Sequence, residues 1–258
     1  MKIFRKIRFQ LLKKGKTTEY LKYAFGEILL VVLGILIALQ INNWNETKKT
    51  NSILKDYLVK IKSHTKEDLR QLDTITIGRK QIADVCKKAR VAMLTNTEEK
   101  NIYTMMISGT AFADFFFKPK TDGYESLKNS SSFVKINNTV LDSLLIQYHG
   151  MIENIAENEK SYNDYILTQE AHISKEFDRS LILASAFMPQ DSLAQLAISQ
   201  SEYIETYKAY TSLAPFKNVV SLAAFQFDIM IDQYEQLQHT GKNIIKEIDM
   251  LTSKTFNN

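Results

Sequence analysis

A single cysteine in 258 residues excludes an internal disulfide, so the fold must rest on non-covalent packing. That residue, Cys86, falls on an apolar helical position and reads as a small buried hydrophobe rather than a nucleophile. Proline is scarce too. Pro119, Pro189 and Pro215 all fall between helical patterns, where a missing N–H breaks nothing. No period-two run of β-branched residues extends beyond a few positions. Thr74-Ile75-Thr76-Ile77 comes nearest, and a helical seam accommodates it. Glycine-rich phosphate loops, GxSxG elbows, HExxH and CxxC pairs are all missing. Of four histidines, His172 has Glu176 one helical turn on, and that pair reads as a solvated helix face rather than a metal site. The expectation is a chain with no cofactor and no metal that is not an enzyme.

What is present begins with an apolar run from Ala24 to Trp44. As a helix, Leu21 to Ile41 rises about 31 Å, against a hydrocarbon core of roughly 30 Å. The preceding 22 residues carry Lys2, Arg5, Lys6, Arg8, Lys13, Lys14, Lys16 and Lys22 against the single Glu19. A basic flank stays on the cytoplasmic side, so the N-terminus is expected inside and the rest of the chain across the membrane. Ile3, Phe4, Ile7, Leu11 and Leu12 recur at helical spacing among those cations, which suits a stretch lying on anionic lipids of the inner leaflet. Tyr20, Tyr23 and Trp44 stand at the two edges of the run as interfacial anchors.

A cleaved signal peptide is the rival reading, because the uncharged core Ile28 to Leu39 is only 12 residues. A long basic region before it favours an uncleaved anchor. So do the lack of a small-x-small site after it and the helical pattern that follows Gln40, Asn42 and Asn43 directly. Glu27 is the odd residue of the span. It either reaches the inner headgroups or contacts a partner span, with Gly26, Gly34 and Ala38 allowing close helix approach. Beyond residue 22 the chain holds 25 positive and 28 negative side chains, a mildly acidic balance that is poor for nucleic acid. The partners expected are the lipid bilayer, anionic lipids at the tail, and a protein partner or second copy.

Three stretches carry a 3-4 apolar spacing, the mark of long helices packed side by side. The first runs Leu54, Leu58, Ile61, Thr65, Asp68, Leu72, Ile75, Arg79, Ile82, Cys86, Ala89, Met93. The second runs Leu141, Leu145, Tyr148, Ile152, Ile155, Glu159, Tyr162, Ile166, Gln169, Ile173, Glu176. The third runs Phe216, Val220, Ala223, Phe227, Met230, Tyr234, Leu237, Gly241, Ile244, Ile248, Leu251. Breaks at Asp68, Arg79 and Gly241 favour a globular bundle over a strict coiled coil. Residues 118–138, with Gly123, a serine cluster and three asparagines, read as loop or short extended structure. Asn138 or Thr139 is placed to cap the second long helix. Phe112 to Phe117, the most apolar piece outside the span, reads as core, or else as a patch for a partner. Tyr203, Tyr207 and Tyr210 read as a core edge. With no proline or glycine in residues 45–50, the span either continues as one rod or bends at Asn42-Asn43.

The string GEILLVVLGILIALQINNWNE (Gly26 to Glu46), with FRKIR (Phe4 to Arg8) upstream, resembles the N-terminal hallmark of a family of uncharacterised single-span bacterial inner-membrane proteins, filed as a domain of unknown function. Tyr124-Glu125-Ser126-Leu127-Lys128 and Ile136-Asn137-Asn138 are similar to it as well. The resemblance implies architecture and location, and brings no activity. The expected molecule is all-α: a basic tail (1–22), a transmembrane helix (23–44), and an elongated antiparallel helical bundle outside the cytoplasm (45–258). Its expected role is a non-enzymatic interaction or scaffold subunit of the bacterial envelope. The alternative is a single-pass sensor whose bundle binds a small ligand and signals through a partner.

Overall fold

A computed structural model describes residues 17–256. The membrane-lying stretch expected within residues 1–16 lies outside the described residues. Every regular element among those described is helical. Helix α1 is Thr17–Leu94, α2 Ile102–Ser108, α3 Asp122–Lys128, α4 Val140–Glu176, α5 Ser180–Phe187, α6 Gln190–Ala194, α7 Gln200–Ser212 and α8 Ala214–Phe256. Short 3₁₀ turns occupy Gly109–Phe112 and Ser131–Lys135. Two compact units divide between Asp56 and Tyr57. In the first, the described residues form helix α1 alone, which passes through Asn42 and Asn43 without a break. This helix is long and apolar enough to span a membrane, and none of its apolar window is buried within the protein.

In the second unit the seams form the core. From Leu58 onward, every seam position of α1 is buried except Ile82 and Met93. In α4 the exceptions are Gln169 and Glu176, and in α8 Leu251. Helix directions follow from the side-chain pairs. Lys62–Asp249, Lys80–Glu235 and Lys87–Asp228 run in opposite order, so α1 and α8 are antiparallel. Asp68–Tyr148 and Arg79–Glu159 run in the same order, so α1 and α4 are parallel. A parallel pair needs a return crossing, and residues 95–139 supply it. Residues 118–138 are more helical than the sequence suggests, because burying Tyr124 and Leu127 stabilises α3. Gly123 lets α3 press on α1: a β-carbon there would sit 3.2 Å from His64 Nδ1 and 3.3 Å from Ile61 Cγ1. Thr139 caps α4 by accepting from Asp142 N, and Asp142 Oδ2 accepts from Asn138 N at 3.0 Å, a reciprocal cap.

The crossing includes residues 114–121, which form no regular structure. Its backbone groups therefore need partners elsewhere. Three buried seam side chains and the half-buried Gln71 provide them. Phe117 N donates to Glu159 Oε2 (3.0 Å), and Lys120 N donates to Asp68 Oδ1 (2.9 Å). Lys118 N donates to Gln71 Oε1 (2.8 Å), while Arg79 Nη2 donates to the Phe115 carbonyl (2.9 Å). Arg79 Nε also donates to the Tyr234 hydroxyl (2.8 Å), which in turn donates to Glu159 Oε1 (2.5 Å). Arg79 and Glu159 are each about 1% exposed and pair at 4.0 Å. The guanidinium lies 4.7 Å from the Phe227 ring centre. The seam breaks at Asp68 and Arg79 are thus the docking points of this strap. Phe117 is buried, Phe112 and Phe115 are half-buried, and Ala113, Asp114 and Phe116 face solvent, so only part of the aromatic run is core.

Three outcomes follow from this packing. Glu159→Ala strands Arg79 and the Phe117 N–H, and is expected to cost about 3–5 kcal/mol in urea unfolding, whereas a double Arg79→Met/Glu159→Met change recovers the part due to the unpaired charge but not the loss at the Phe117 N–H and the Phe115 carbonyl. A β-carbon at Gly241 would meet Leu69, Thr65 and Tyr148 at 3.0 to 3.2 Å, while one at Gly78 meets nothing. Gly241→Leu should therefore lose about 1–3 kcal/mol, and Gly78→Ala should gain up to about 1 kcal/mol. Burial raises the Asp68 carboxyl from 3.8 to about 6. The folded chain holds that proton more tightly, so the contribution is complete below the unfolded value of 3.8 and is lost as pH rises through about 6. Burial raises Glu159 in the same sense. His149, lowered by burial, contributes stability above its ordinary value that is lost on acidification. Unfolding midpoints measured across this range should fall with rising pH in the wild type relative to Asp68→Asn, and a constant offset would refute the assignment.

Candidate functional site

A cavity of about 400 Å³ lies where α2, the Gly109–Phe112 turn, the end of α4, α5 and α7 meet. Local chemistry explains its shape. Helix α4 stops at Phe177, whose backbone is extended. Asp178 Oδ1 then accepts from Ser180 N at 2.8 Å and from Ser180 Oγ, which starts α5 and holds the Asp178 carboxyl below its ordinary value. This reversal turns Arg179 back onto Glu170 of α4, where Nη2 donates to Oε1 at 2.5 Å. Arg179 Nε is buried and has no hydrogen-bond partner.

Aromatic rings line one wall. Tyr203, Tyr207 and Tyr210 follow one another along α7, with centroids 4.9 and 6.4 Å apart, and Tyr210 packs edge-on to Phe216 at 5.0 Å. Phe112 stacks on Phe216 at 5.7 Å. Burial pushes the hydroxyls of Tyr207 and Tyr210 up to about 12, so both stay protonated hydrogen-bonding groups. Tyr207 Oη and Ser185 Oγ lie 2.6 Å apart and tie α5 to α7. Otherwise α5 packs lightly. Its sequence SLILASAF is apolar almost all round, yet only Ile182 is buried, while Phe187 is 81% exposed.

The tyrosines are the core edge that the sequence suggests, and Tyr207 and Tyr210 also line the cavity. Arg179, Glu170 and the α5 lining escape sequence reading, because they meet through a chain reversal rather than a periodic seam. The all-round apolarity of Leu181 to Ala184 is the one local signal. Cys86 is buried on its seam, its thiol pushed up to about 12 by burial. His172 and Glu176 both face solvent.

The span residues occupy a different kind of site. Gly26 and Gly34 have no atom near the place of a β-carbon, and Ala38 is exposed. At 3.6 residues per turn, Glu27, Gly34 and Ala38 fall on one face of α1, and Gly26 lies off it by about a quarter turn. Tyr23 and Trp44 are exposed, and Lys48 lies 5.4 Å over the Trp44 ring. The Tyr20 side chain lies outside the described residues.

No curated protein and no solved structure matches the chain. A family model does match residues 27–178, which takes in most of the apolar run, the strap and all of α4. The chain belongs to the family of unknown function DUF6090.

Proposed function

We propose that this protein is a single-pass anchor of the bacterial inner membrane that works by interaction rather than catalysis. Its basic tail is cytoplasmic and its helical domain lies outside. The supporting observation is the contrast along α1. Residues 21–44 leave their apolar side chains exposed, whereas from Leu58 onward the same helix seals a seam. An apolar surface that no described part of the protein covers is stable in lipid and costly in water. Glu27, Gly34 and Ala38, sharing one face, are the contact offered to a partner span or a second copy. Anionic lipids take the tail.

Because Cys86 is buried, added cysteines report topology cleanly. A membrane-impermeant maleimide applied to intact cells should label Ser52→Cys and reach Lys6→Cys only after lysis. The reverse pattern, or a free soluble product lacking the first 40 or so residues, would contradict the anchor. In-membrane crosslinking of the full chain should capture a specific product that Glu27→Gln and Gly34→Leu both diminish. Identical yields in all three would remove that face from the account.

A second reading, a ligand-binding sensor, is favoured by the cavity between α4, α5 and α7. In it, occupancy of the cavity biases the packing of α5, and a partner supplies the output.

A further inference from the structure

We infer that the cavity under α5 takes a small amphiphile with an apolar body and a carboxylate head, the head pairing with Arg179. The inference rests on the sensor reading and names its ligand class. Most of the lining is apolar, with Met106, Phe112, Ile182 and Leu183 around a space of about 400 Å³, within the usual range for small-molecule sites. Arg179 and Glu170 are the charged pair of the lining, and the Tyr210 hydroxyl lies beside the Arg179 guanidinium. That pairing is incomplete. Glu170 engages Nη2 alone, and the buried Nε donor has no acceptor. A buried donor left unmet favours any ligand atom able to accept from it.

A carboxylate is the fitting acceptor because a guanidinium presents Nε and Nη in a planar fork matched to two oxygens. The Arg179 side chain is 15% exposed and that of Glu170 26%. Glu170 is therefore the partner that can turn to water, leaving its place to the incoming head while Arg179 stays put. Helix α5 supplies the way in. It is held by the Tyr207–Ser185 hydrogen bond and by Ile182, and it carries exposed Leu183 and Phe187 beside the cavity. An apolar helix packed this lightly opens at low cost.

The assignment makes two neighbouring charge changes act in opposite directions. The full-length chain in lipid nanodiscs is exposed to octanoate carrying a photoreactive diazirine on its chain, and labelled peptides are mapped by mass spectrometry. Saturable labelling of the peptides holding Met106 to Phe112 and Ile182 to Phe187 is expected. Half-saturation should fall about tenfold in Glu170→Gln, which removes the competitor, and rise about tenfold or more in Arg179→Gln. Filling the space with Leu183→Trp, which leaves the ion pair intact, should abolish labelling. If the matching diazirine octanol labels these peptides as well as the carboxylate does, or if both charge variants weaken labelling alike, the carboxylate assignment is overturned while the ligand-binding reading stands. Labelling confined to residues 21–41 with either probe overturns both.

Discussion

Arg79 is the constraint around which the helical domain is arranged. A guanidinium about 1% exposed is tolerable only when its charge and most of its donors are met, and here Nε and Nη2 are hydrogen-bonded while Nη1 is left without a hydrogen-bond partner. One helix cannot do that. The groups that meet it come from α8 (Tyr234, Phe227), from α4 (Glu159) and from the carbonyl of Phe115 in the irregular crossing. Four chain segments must therefore reach their places together for any one of them to be stable. The apolar seams supply most of the driving force, but they are periodic and would tolerate sliding by a turn. The buried polar groups are not periodic, and they select one register.

The same chemistry explains why an irregular strap can run beside a helical core. Residues 114–121 forgo the hydrogen bonds of a helix or a sheet. Asp68, Gln71 and Glu159 replace the missing ladder with side-chain acceptors, and Arg79 replaces it with a donor. Each of these four side chains is aligned by a long helix held by its own seam. The strap is thus ordered by rigid neighbours, and it closes the return that lets α1 and α4 run parallel.

Much of this was legible in the sequence and some was not, for identifiable reasons. The three seams could be read because helix packing is periodic, and their polar members Thr65, Asp68, Arg79 and Glu159 are buried where the spacing puts them, while Gln169 and Glu176 at the end of α4 are not. The meaning of Asp68 and Arg79 could not be read. A charge on a seam looks like an interruption until the strap that it binds is known, and the strap lies 36 residues from Arg79. Helix α3 was hidden by Gly123 and the serines, since its stability comes from docking against α1 rather than from propensity. The cavity was hidden because Arg179 and Glu170 meet through a reversal capped by Asp178 and Ser180. The apolar run near the N-terminus was the most legible feature, being a matter of length and composition alone. The family match gives that run company but no chemistry.

The strap is held by side chains of α1 and α4 as firmly as a regular element is held by its ladder. Native-state hydrogen exchange of the full-length chain tests it directly. The amides of Phe117, Lys118 and Lys120 should exchange as slowly as neighbouring core amides of α4, with protection approaching that set by global unfolding. Exchange of these three at the rate of an open loop, while α4 stays protected, would show that the strap is not part of the core and that Arg79 and Asp68 do not organise it.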